Sequence, residues 1–139
     1  MPNLNKSLLL ILDTNLWISF LIKNDISKIE RILYSGNITL LFSNELIEEI
    51  ASVTKRAKFS KFFKPKDVES FFHLISPYMK VIEVKSVITQ CRDIKDNFLL
   101  ALAIDGSADY LLTGDNDLLS VKTIGNTKII TITDFLSSL

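Results

Sequence analysis

Two aspartates follow apolar runs that end abruptly. Asp13 comes straight after Leu8-Leu9-Leu10-Ile11-Leu12, in Asp13-Thr14-Asn15. Asp115 follows Tyr110-Leu111-Leu112-Thr113 after one glycine, in Thr113-Gly114-Asp115-Asn116-Asp117. A single Asp in such a place caps a helix more often than it does chemistry. Two of them at the ends of two strands, with Asp117 close behind the second, shift the balance towards a site. Glu49 is a third candidate. At about 100° per residue, Leu46, Ile50, Val53 and Ala57 share one helical face, and Glu49 falls beside it. Glu48 points the opposite way and Glu45 lies farther from the apolar stripe. Asp93 and Asp96 precede the most apolar stretch of the chain, where the positive end of a helix favours an anion. Capping accounts for these two equally well.

Gathered in one pocket, such acids would need a counter-charge. Two carboxylates about 5 Å apart repel by roughly 3 kcal/mol at an effective dielectric near 20. Hard divalent cations such as Mg²⁺ or Mn²⁺ prefer oxygen ligands and would supply that charge. A cation held this way polarises a phosphoryl oxygen and activates water for in-line attack. Other chemistries have less support. Cys91 is the only cysteine, which rules out an internal disulfide and a Cys-rich zinc site. His73 is the only histidine and lies among phenylalanines, so a Ser-His-Asp arrangement is not credible.

The elements that must position these acids alternate. Strands are expected at 8–12, 38–42, 81–84, 110–113 and 128–132. The helices expected between them run over about 17–34, closed by Gly36, over 44–56 with Ser43 as N-cap, over 66–76 after Pro65, and over 96–105 ended by Gly106. Short helical turns follow at 115–119 and after Thr133 or Asp134. The run 8–12 is continuously apolar, as befits a strand covered on both faces. Alternating strands and helices predict an α/β fold with a mostly parallel sheet, whose site lies beyond the carboxyl ends of the strands. The chain has 139 residues, the size of one domain, with no repeats and no obvious linker.

Sixteen basic residues balance sixteen acidic ones, so overall charge gives no hint of nucleic acid. One segment does: Lys55, Arg56, Lys58, Lys61, Lys64 and Lys66 stand without an acid among them, interleaved with Phe59, Phe62 and Phe63. They could track a phosphate backbone and stack bases. A solvated helix end with phenylalanines in the core or in a dimer seam is slightly favoured. The apolar run after Lys6 is too short for a secretory core, and Leu16–Ile22 is too short to span a bilayer. A soluble, cytoplasmic protein is expected.

Four segments in order, Leu12-Asp13-Thr14-Asn15, Ser43 through Glu49-Ile50, Arg92-Asp93-Ile94-Lys95-Asp96-Asn97 and Thr113-Gly114-Asp115-Asn116-Asp117-Leu118-Leu119, resemble the signature of PIN domains. The match is best to PIN toxins of toxin–antitoxin pairs, related to VapC-like ribonucleases, and extends to Ile132-Thr133-Asp134-Phe135-Leu136. The resemblance implies a Rossmann-like three-layer α/β/α sandwich and Mg²⁺- or Mn²⁺-dependent cleavage of RNA. It assigns the acidic quartet to Asp13, Glu49, Asp96 and Asp115, with Asp117 as an additional acid and Thr14, Asn15 and Thr113 in support. It further implies a small antitoxin partner and a homodimer. Two alternatives stand beside it: a catalytically inert PIN-fold module that binds RNA or protein, and a phosphorelay receiver-like domain. The receiver lacks the second acid it would need next to Asp13 and an Asp after a middle strand.

Overall fold

The computed structural model describes residues 7–23, 26–56, 64–91 and 93–139. The apolar run Leu8–Leu12 forms β1, and its place in the sheet explains why it does not alternate. Leu10, Ile11 and Leu12 are all fully buried. Successive strand side chains point to opposite faces, so both faces of β1 are covered. The order continues with α1 (Thr14–Lys23), α2 (Ile26–Leu33), β2 (Ile38–Phe42), α3 (Asn44–Thr54), α4 (Pro65–Ile75), β3 (Met79–Val81) and α5 (Asn97–Gly106). Then come β4 (Tyr110–Leu112), α6 (Asn116–Leu119), β5 (Thr123–Ile124), β6 (Thr127–Ile130) and α7 (Ile132–Ser137).

The sheet runs β3-β2-β1-β4-β6-β5. Leu10 of β1 stands opposite Leu40 of β2 on one side and Tyr110 of β4 on the other. All neighbours are parallel except β5 and β6. This is the expected α/β fold with a mostly parallel sheet. Parallel strands end together, which carries the residues after β1, β2 and β4 to one edge. Trp17 of α1 fixes that helix against the sheet and α4, its ring lying 5.3 Å from Phe42 and 6.1 Å from Phe71. Among the described residues no helix is long and apolar enough to cross a membrane.

The structure differs from the sequence reading in several elements. The single helix expected over 17–34 is two, α1 and α2, and the first starts three residues early. Asp13 explains the start, because its Oδ1 accepts from Leu16 N at 2.8 Å and caps the first turn. Asn24 and Asp25, at the split, lie outside the described residues. The third strand lies at Met79–Val81 rather than 81–84. Beyond it the N–H groups of Lys85, at 2.6 Å, and Ser86, at 2.9 Å, turn to the Asp105 carboxylate at the end of α5. β5 was not expected; with β6 it forms a hairpin through Gly125, which takes a positive φ of 57°. The last helix is capped by Thr131, whose Oγ1 accepts from Asp134 N, and not by Thr133 or Asp134. Ser43 caps α3 as expected, accepting from Leu46 N at 3.2 Å. Gly106 ends α5, where a Cβ would come within 2.8 Å of Leu41 Cδ1. Ser107 rather than the glycine takes the left-handed conformation that closes this helix.

Candidate metal centre

Asp13 is the most buried acid of the site, 4% exposed. Both its oxygens are held: Oδ1 caps α1 and Oδ2 accepts a hydrogen bond from Thr113 Oγ1. Capping and site membership are therefore not alternatives here; one carboxylate does both. Thr113 is fully buried, and its hydroxyl also accepts from Asp115 N at 3.0 Å. It thus joins the acid after β1 to the acid after β4. Asp115 in turn caps α6 through Leu118 N at 3.3 Å.

The third segment arrives from the loop before α5. Asp93 caps the 3-10 turn Ile94–Asp96, accepting from Lys95 N at 3.1 Å. Asp96 is the N-cap residue of α5 by backbone position but makes no capping bond with its side chain. Its carboxyl group turns to the acids instead. Glu49 is half-buried on α3, between the buried Leu46, Ile50 and Val53, while Glu45 and Glu48 are exposed.

One cavity of about 250 Å³ collects these groups. Asp13, Thr14, Asn15, Glu49, Asp93, Asp96 and Asp115 line it, together with Arg56, Lys95, Phe98 and Leu99. An adjoining hollow shares Asp13, Asn15 and Asp115. A larger cavity, about 690 Å³, lies at the other edge of the sheet among Ser7, Asp109 and Thr127. Among the described residues Asp109 is its sole ionisable lining group, and its carboxylate already accepts from Leu9 N. The smaller, acidic cavity at the carboxyl edge is the candidate site.

The remaining expected residues divide. Thr113 sits behind the cavity, supporting Asp13. Asp117 does not line it, although its charge acts on Cys91 nearby. Of the basic group, Arg56 lines the cavity and Lys55 is exposed away from it. Lys58 and Lys61 lie outside the described residues. Lys95 was missed as a site residue, and its place between Asp93 and Asp96 was the available signal. Asp93, read as a cap, is both cap and lining.

Electrostatics mark the same place. Asp96 is pushed up to about 7, first by burial, then by a hydrogen bond with Asp115 that only its protonated form can donate, and then by the charges of Asp115, Asp93 and Asp13. Asp13 is also raised, because burial outweighs the bonds from Thr113, Leu16 and Gly114. Two carboxyls whose ionisation is made harder by burial and by their neighbours are a donor set short of positive charge. Hard oxygen donors of this kind suit Mg²⁺ or Mn²⁺. Among the described residues no three His, Cys, Asp or Glu side chains are gathered into a finished metal cage. The acids share a cavity but must close in to share an ion.

A sequence model of the PIN domain matches residues 10–117, and the chain belongs to that family. No curated protein matches it in sequence. Among solved structures it is similar to a chain of VapBC2 from Rickettsia felis bound to a DNA fragment from their promoter. The identity is 17% and the TM-score 0.55, over 88% of this chain and 97% of that one. It is also similar to the PIN domain of human SMG5, at 14% identity and a TM-score of 0.50, over 94% of this chain and 97% of that one. At such identities the likeness speaks for the fold alone. The chain carries a nuclease-type PIN fold, which sets aside the receiver-like alternative.

Proposed function

We propose that this chain is a Mg²⁺- or Mn²⁺-dependent endoribonuclease, hydrolysing RNA phosphodiester bonds as the toxin of a toxin–antitoxin pair in the cytoplasm. The observation that carries the reading is that Asp13, Glu49, Asp96 and Asp115, from four separated segments, line one cavity. Asp13, Asp96 and Asp115 would hold the cation. Bound there, it supplies Lewis acidity to a phosphoryl oxygen and the counter-charge the acids lack.

The chain's own groups do the rest. Thr113 fixes the orientation of Asp13 through its hydroxyl. The Glu49 carboxylate steers water by accepting its hydrogen bond, or contributes a further oxygen to the cation. The water oxygen bonds to phosphorus and releases a proton to bulk water, the bond to the leaving ribose oxygen breaks, and the leaving oxygen takes up a proton from bulk water. Arg56 and Lys95, on the cavity lining, offer positive charge to the phosphates. The resemblance of the sequence to PIN toxins implies a small antitoxin as partner, and a homodimer belongs to the same reading.

A second reading is an inert PIN-fold module that binds RNA or protein. What favours it is the lack of a finished cage among the described residues. Incubating the chain with RNA and Mn²⁺ separates the two. Cleavage is expected, with its loss in Asp13→Asn, a substitution that keeps a good helix cap and hence the fold. Full cleavage by that variant, or cleavage indifferent to chelator, would sink the proposal.

A further inference from the structure

The loop that carries Asp93 and Asp96 is closed at its base by one side chain. Asn97, the first residue of α5, is 8% exposed, and its Oδ1 accepts a hydrogen bond from Cys91 N at 2.9 Å. A backbone N–H can only donate, so the amide oxygen must face it, which fixes the orientation of the Asn97 side chain. Cys91 is buried as well. The bond therefore ties two buried points together, and residues 93–96 lie nearer the surface than either. Asp93, Ile94 and Lys95 are exposed there and Asp96 is half-buried.

Ile94, at the tip, is 83% exposed. The tip is a tight turn in its own right, with Asp96 N donating to Asp93 O at 3.0 Å and Lys95 N to the Asp93 side chain. The tip is thus bonded within itself and the base is bonded across it. Its distance from Asp13 and Asp115 is then set at the base, by the bond from Cys91 to Asn97. Asp96 makes no side-chain cap on α5, so anchoring falls to Asn97 and the Asp96 carboxyl stays available to the cavity.

We propose that Asn97 is a positioning residue: its bond to Cys91 N holds the turn at 93–96 so that Asp96 meets Asp13 and Asp115 around a shared divalent cation. The inference rests on the metal-dependent reading above and deepens it. Asn97 touches neither the cation nor the phosphate in this account; it acts through Asp96.

The test is Mn²⁺ titration by calorimetry on the full chain, with amide exchange of Cys91 followed by NMR in metal-free buffer. Asn97→Ala should weaken Mn²⁺ binding about tenfold or more, the range found when partners behind metal ligands are removed, and should speed exchange of the Cys91 amide. Asn97→Asp keeps an acceptor of the same reach. It should retain the slow Cys91 amide and bind Mn²⁺ at least as well as the unsubstituted chain. Should Asn97→Ala fail to fold, Asn97→Ser, too short to reach Cys91 N, carries the same expectation. Unchanged Mn²⁺ affinity in the truncated variant, or an Asn97→Asp as weak as Asn97→Ala, overturns the clamp. Failure of the unsubstituted chain to bind Mn²⁺ instead overturns the metal reading, and the clamp falls with it.

Discussion

Thr113 is fully buried and uses its hydroxyl twice, donating to Asp13 and accepting from Asp115 N. Only a hydroxyl can do both in the space of one methyl group. Thr113→Val keeps the shape and removes both bonds, leaving a carboxylate oxygen and a backbone N–H short of a partner. The expected cost is about 1–3 kcal/mol in denaturant unfolding. RNA cleavage should fall roughly 10- to 100-fold, and Thr113→Ser should recover most of both. The acids themselves were legible in the sequence because Asp directly after an apolar run is a position with a geometric meaning. Glu49 was legible through helical angle. Lys95 could have been found from its place between Asp93 and Asp96, but Asn97 could not, because it does not depart from what a capped turn before a helix ordinarily contains. Its importance lies in its bond to Cys91 N across the loop, and no periodicity records that.

Elements follow the same division. Continuous apolar runs announced the central strands, and Ser43 announced α3, because burial on both faces and a free helix end leave local marks. The two-residue β5 leaves none: its pairing depends on β6 lying beside it. The displacement of β3 has the same kind of cause. Alternation continues past Val81 through Ile82 and Val84, half-buried, and Glu83 and Lys85, exposed, so the sequence there still looks like a strand. In the fold, Asp105 takes the N–H groups of Lys85 and Ser86, and the Ser86 hydroxyl as well. These bonds hold the Asp105 carboxyl below its usual range, the Ser86 hydroxyl contributing most. A lowered folded pKa means that the tether acts above the ordinary carboxylate range and is lost as pH falls through the folded value. Hydrogen exchange at Lys85 and Ser86 should therefore be slow near pH 6. In Asp105→Ala it should speed up, with little change at Leu10 or Leu111 in the sheet. Equal protection of the two amides in the variant would show that the segment is held by something else.

Across the whole molecule, the acidic cavity sets one side of the pH dependence of stability. Asp96 folds with its pKa near 7 against an ordinary 3.8, and Asp13 is shifted in the same direction. The folded chain therefore binds more protons than the unfolded one between those values. Its stability from these groups is full below about 4 and declines as pH rises towards 7. Asp105 works in the opposite direction but only under acid conditions, so the window from pH 5.5 to 8 isolates the cavity. Solvent reaches Asp96, which holds the contribution to roughly 1 kcal/mol once screening is allowed for. In metal-free buffer the melting temperature should fall by a few degrees between pH 5.5 and 8. Protons and a divalent cation compete for the same oxygens, so added Mn²⁺ should raise the melting temperature more at pH 8 than at pH 5.5. At a hundredfold excess over Kd the gain is about 2.7 kcal/mol, enough to reverse the metal-free trend. Asp96→Asn removes the competing proton site. It should melt at nearly the same temperature across this window and respond weakly to Mn²⁺. A variant that keeps both the pH slope and the Mn²⁺ response would separate the stability of this fold from the charge gathered at its sheet edge.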